Sequence, residues 1–145
     1  MSDIFSDAIG AVTAQLSGLW PQPEVSPQLV NGKLRPCPPT PNCVSSESSD
    51  LVHRIDPLPF SGSPEEAMAR LKKVVKEKGG TVQHEEHWYI WSIFTVPVFG
   101  FIDDVEFRLS PEERVIHLRS SSRLGFSDLG VNRARVEELR KAFQR

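Results

Sequence analysis

Between residues 81 and 123 apolar and polar positions alternate, and on either side of that stretch they do not. In "DDVEFRLS" the alternation is strict, with Val105, Phe107 and Leu109 on one face and Asp104, Glu106 and Arg108 on the other. The two-residue period predicts four strands, over Thr81–Glu86, Trp88–Val96, Ile102–Leu109 and Val115–Arg123. "SPEER" reads as the turn of an antiparallel hairpin joining the last two. Upstream, "SGSPEEAMARLKKVVKEKGG" changes to helical spacing. Ser63 is the predicted N-cap, Pro64 the first helical residue, Glu66 the capping-box acid and Gly79-Gly80 the stop. Ala67, Leu71, Val74 and Val75 form its apolar stripe. Downstream, Val136, Leu139, Ala142 and Phe143 recur every three or four residues in a closing helix that Asn132 can cap. Strands in a run, flanked by helices, predict an α+β fold. Its core is a single antiparallel sheet of about four to five strands with two helices packed on it.

The N-terminal third has a different texture. Ile4, Phe5, Ala8, Ile9, Val12, Leu16, Leu19 and Trp20 are helically spaced, predicting an amphipathic helix over residues 1–20. Nine of the twelve prolines lie between Pro21 and Pro59, and proline removes an N–H donor and restricts its predecessor. Residues 21–34 therefore read as an extended Pro-rich linker and 35–145 as one α+β domain, with a short edge strand expected around Val52–Leu58.

Length, at 145 residues, fits one domain. The formal net charge of −2 argues against a nucleic-acid partner, which calls for a basic face. No apolar run reaches the length of a membrane span. The first residues carry Asp3 and Asp7 in place of a positive leader, which makes a cytoplasmic location the default expectation. The polar face of residues 4–20 has no Lys or Arg, favouring docking on the domain or a partner, though peripheral membrane association through these residues stays open.

"CPPTPNCVSS", "FGFIDDVEF" and "SSSRLGFSDLGVNRARVEELR", in that order with a capped helix between the first two, resemble the family named domain of unknown function 1499. The resemblance runs from about Arg35 to Arg145. Members occur in bacteria, cyanobacteria and plastid-bearing organisms, so it is compatible with a plastid or thylakoid setting. It carries no catalytic role.

The residues suggest several chemistries. Asp104 and Glu106 share a strand face and could hold a hard cation or divide acid and base roles. Cross-strand pairing with Arg119 or Arg123 is the plainer expectation. His84 and His87 fall in an expected turn, whereas His117, mid-strand opposite Ile116 and Leu118, falls beside those carboxylates. Cys37 and Cys43 could be a structural pair of thiols or a disulfide, or a redox couple; no metal site or cofactor is implied. The aromatics of "HWYIWSIFTVPVFGF" fall on both faces of their strand, so a second face needs cover or forms a groove.

Residues 113–145 carry eight basic and four acidic side chains, a local net charge of +4. Within them Ser120, Ser122, Arg123, Ser127, Asp128, Asn132 and Arg133 are candidate ligand contacts around a strand-to-helix turn. An Arg123 fork closed on a carboxylate would make that turn structural, and one facing an empty cleft would make it a binding site. The expected function is a non-catalytic binding or assembly module. It would contact a protein partner or a small anionic or lipid-like ligand through this turn and the aromatic groove. The alternatives are a small hydrolase or isomerase using Asp104, Glu106 and His117, and a redox-sensitive protein using Cys37 and Cys43.

Overall fold

The computed structural model describes residues 27–96, 100–125 and 129–145. The expected N-terminal helix, together with Ser127 and Asp128, lies outside them. Two short strands open the domain, β1 (Cys43–Ser45) and β2 (Leu58–Pro59), followed by helix α1 (Pro64–Glu77). Then come β3 (Thr81–Glu86), β4 (Tyr89–Thr95), β5 (Ile102–Ser110), β6 (Val115–Ser122) and helix α2 (Val131–Phe143). The sheet order is β1-β6-β5-β4-β3, and β2 also pairs with β6, so neighbouring strands are antiparallel throughout.

The α+β architecture is as expected, with six strands in place of four to five. Of the short edge strand expected around Val52–Leu58 only β2 (Leu58–Pro59) forms, and β1, upstream of it, pairs with the other end of β6. The reason is local chemistry. Asp50 accepts both the backbone N–H and the ring nitrogen of His53, at 3.0 and 2.8 Å, and Arg54 N–H bonds Asp50 O. This side-chain turn competes with an extended ladder. Trp88, expected to open a strand, occupies the β3–β4 turn with φ of +62°, and His84 lies in β3 and not in that turn.

One face of the sheet carries Ile90, Phe94, Val105, Phe107, Leu109, Ile116 and Leu118 against Leu71, Val75, Val136, Leu139 and Phe143 of the helices. In α1 the cap is as expected: Ser63 Oγ accepts Glu66 N–H, and Pro64 is the first helical residue. In α2 it is not. Gly130 is the N-cap without a side-chain cap bond, and Asn132 is fully buried within the first turn. There its amide bonds Ser120, Ser122 and the carbonyl of Asn42, a use that outweighs capping.

The opposite face carries Tyr89, Trp91, Asp104, Glu106, Arg108, His117 and Arg119. The segment 27–36 runs across part of it as a strap. Arg35 reaches Glu106, the Pro36 carbonyl accepts from Arg119, and Leu34 N–H bonds Glu47. A disulfide between Cys37 and Cys43 clips the strap to β1, with Cα atoms 5.7 Å apart. Closing so short a ring contributes roughly 2 kcal/mol in the chain-entropy picture.

Gly80 marks where α1 meets β4. A Cβ there would stand 2.5 Å from Phe94 and 2.8 Å from Val75. Gly80→Ala is therefore expected to lower the unfolding free energy by about 1–3 kcal/mol. Urea denaturation checks this, with the midpoint falling and the slope unchanged.

Candidate functional site

Strand alternation places Asp104 and Glu106 on the outer face and Asp103 on the core face. All three are nearly or fully buried, so each needs a partner. Arg123 grips Asp104 with a two-pronged fork, Nε to Oδ2 at 2.9 Å and Nη2 to Oδ1 at 3.0 Å, and Trp91 Nε1 donates to Oδ1 at 2.8 Å. Glu106, at 0% exposure, receives Tyr89 OH at 2.8 Å, Arg35 Nη2 at 2.9 Å and Arg119 Nη1 at 3.4 Å. Arg108, next along the face, donates through Nε to Glu47 at 3.0 Å. On the core face Arg135 pairs with Asp103 at 2.7 Å, bonds Ser120 and Asn132, and lays its guanidinium over the Phe94 ring.

His117 shares the outer face but does not join these carboxylates. Its Nδ1 meets Ser46 Oγ at 3.1 Å and its Nε2 meets Glu113 at 2.7 Å. The constellation has the members of a serine hydrolase triad, yet Ser46 Oγ also accepts Leu118 N–H and Ser46 is buried. That hydroxyl stands in for a ladder bond where β1 ends. The enzyme alternative thus finds its three residues apart: two carboxylates locked to arginines, and a histidine engaged elsewhere.

The turn candidates are also engaged. Ser120 is fully buried on Asn132, Ser122 accepts from Asn132, and Arg133 donates to the carbonyls of Arg54 and Val52. The fork of Arg123 is closed on Asp104, so the described candidates of this turn make internal contacts.

The family model for "Protein of unknown function (DUF1499)" matches residues 33–143. The chain belongs to the DUF1499 family. No curated protein matches it.

Sequence reasoning missed several residues that organise this DUF1499 domain: Arg35, Glu47, Ser46, Glu113, Arg135 and the Asp50–His53 pair. A signal existed for Arg135, because alternation put Asp103 on the core face and required a cation from a helix. Arg35 had none, since its reach depends on the strap folding back. Among the described residues no three His, Cys, Asp or Glu side chains gather as a metal-binding group, and no helix is long and apolar enough to cross a membrane.

Burial and the neighbouring Glu106 carboxylate push the Tyr89 hydroxyl far above its usual range. Burial, followed by the nearby Arg35 charge, pulls the Arg119 guanidinium down. The hydrogen bond from His117 lowers the Glu113 carboxyl. His53 is buried between two acceptors, the Asp50 carboxylate on Nδ1 and the Thr40 carbonyl at 2.9 Å on Nε2. Both nitrogens must carry protons to satisfy both partners. The Asp50 bond accordingly raises the His53 pKa above 6.5, and the bond from His53 lowers Asp50 to about 2.

Two outcomes follow. Glu106→Gln leaves the buried Arg119 without its counter-charge and is expected to cost about 3–5 kcal/mol, read from denaturant unfolding. For His53 the raised folded pKa means that its stabilisation is complete below 6.5 and is lost as pH rises through the folded value. Thermal melts should show the wild type losing stability as pH climbs above 6.5, while His53→Gln follows a flatter profile over the same range.

Proposed function

We propose that this domain is a non-catalytic binding module that takes an extended segment of a partner protein along β3 and the adjoining aromatic groove. The supporting observation is one of contrast. The acid, base and anion-binding candidates among the described residues are held in internal pairs, whereas all six residues of the terminal strand β3 are exposed. Beside β3 lies a groove of about 410 Å³ with Pro27, Gln28 and Leu29 on one side and Gln83, His84, Glu86, Tyr89 and Trp91 on the other.

A sheet edge offers unpaired backbone groups, and an extended peptide can add to it while its alternate side chains fill neighbouring pockets. This favours a polypeptide over a small anionic or lipid-like ligand, which would have no use for a strand edge. The bulge at Val82/His84 and the charges at Glu85 and Glu86 guard against indiscriminate pairing. They also suit a partner that presents an apolar residue to Trp91 and a basic one near Glu86. The Cys37–Cys43 disulfide favours an oxidising compartment, such as a periplasm or a lumen, over the cytoplasm as the place where the module works.

Selection of a random peptide library on the oxidised protein should return extended binders, with affinities on the order of 1–100 μM for a single added strand. Titrated into isotope-labelled protein, such a peptide is expected to shift the amides of residues 81–86 and 28–30 first. Shifts clustered at another surface, or no binder in that range, would overturn the reading.

A further inference from the structure

We propose that the Cys37–Cys43 disulfide is a thiol–disulfide exchange site, attacked through Cys37 by a dithiol reductant, and that its reduction frees the strap of residues 27–36 from the outer face. The inference rests on the peptide-binding reading only for its consequence, because Pro27, Gln28 and Leu29 form one wall of that groove. Exchange and release are separate from it.

Access to the two sulfurs is unequal. Cys37 is partly exposed and lines an open cleft of about 630 Å³, whereas Cys43 is fully buried in β1. An incoming thiolate therefore meets Cys37. Lys33 and Arg35 line the same cleft together with Glu47, Asp50 and Glu113, so exposure and not local charge selects the sulfur that is attacked.

The bond also sits where it can act as a latch. Cys43 is the first residue of β1 and pairs with Ser121, so its end is anchored in the sheet. Cys37 directly follows Arg35 and Pro36, the two residues that engage Glu106 and Arg119. While the bond is closed, the two Cα atoms stand 5.7 Å apart. Once it is open, the intervening chain can span up to roughly 20 Å. Among the described residues the strap then keeps only side-chain ties to the sheet face: the Leu34 bond to Glu47, the Arg119 bond to the Pro36 carbonyl, and the Arg35–Glu106 pair, whose arginine side chain is 28% exposed. Opening the ring also loosens Thr40, whose carbonyl receives the His53 imidazole.

The chemistry balances as ordinary exchange. A thiolate of the reductant bonds to Cys37 Sγ as the S–S bond breaks, and Cys43 leaves as a thiolate. The second thiol of the reductant then attacks its own sulfur in the mixed disulfide and releases Cys37. Two electrons pass from the dithiol, which ends as a disulfide, and its two protons end on Cys37 and Cys43.

Two measurements test this. In single variants, the Cys37 thiol of Cys43→Ser should react with an aromatic disulfide reagent at least about tenfold faster than the Cys43 thiol of Cys37→Ser, as exposure dictates. In the wild-type protein, treated with dithiothreitol under native conditions, hydrogen exchange across residues 28–35 should accelerate at least about tenfold while β4, β5 and β6 keep their protection. Equal reactivity of the two thiols overturns the proposal. So does a strap whose exchange is unchanged by reduction, or a disulfide that yields only when the whole sheet opens. If the strap is freed while selected peptides bind neither redox state, the switch stands and the groove reading falls.

Discussion

Glu106 has no exposure at all, and stripping water from an ionised carboxylate costs several kcal/mol unless the protein replaces it. The outer half of the domain is arranged around that demand. Tyr89 and Arg119 come from the neighbouring strands, but Arg119 is itself buried and its Nε finds no partner among the described residues. Its charge and its donors call for something on top of the sheet. The strap supplies Arg35 for the carboxylate and the Pro36 carbonyl for the guanidinium, and the disulfide holds the strap at that height. Leu34 then bonds Glu47, which partners Arg108 two residues along the same strand face. Glu106 directly and Arg108 through Glu47 thus bind the cover to the sheet, while Asp104 is held within it by Arg123 and Trp91.

The other face of the same strand repeats the problem once. Asp103 lies among the core residues and is answered by Arg135 from α2, whose guanidinium also bonds Ser120 and Asn132 and covers Phe94. Buried pairs of this kind often add little net stability over apolar replacements, so their contribution here is better sought in specificity. Sliding β5 by one residue would exchange the faces of Asp103 and Asp104, each of which meets its own arginine. Charged residues on both faces therefore make a slipped register costly in a strand whose apolar residues alone would specify one side only.

What could be read from the sequence follows the range of the forces involved. Alternation within "DDVEFRLS" assigned residues 104–109 of β5 to their correct faces, and the Ser63–Glu66 cap placed the start of α1, because both depend on neighbours within a few residues. The closed pairing of Asp104 with Arg123 was within reach for the same reason, β5 and β6 being one hairpin. Asn132 was misassigned since capping chemistry and a buried polar bridge use the same amide, and only the packing of α2 on Ser120 and Ser122 decides between them. Arg35 and the strap were illegible. Proline content forbade helix and central strand there without saying which surface the extended chain would lie upon.

Among the described residues the polar groups of the outer sheet face are largely engaged with each other. Asp104 and Glu106 are held in guanidinium pairs, with Arg123 and Arg35 respectively. The edge at β3 is the opposite case. Its Glu85 pairs with Lys72 at 42–43% side-chain exposure, where an ion pair contributes well under about 1 kcal/mol. Little stability is lost if a partner displaces it. Contacts that cost little to exchange suit the proposed binding surface, and among the described residues they border the groove that holds Tyr89 and Trp91 beside the strap.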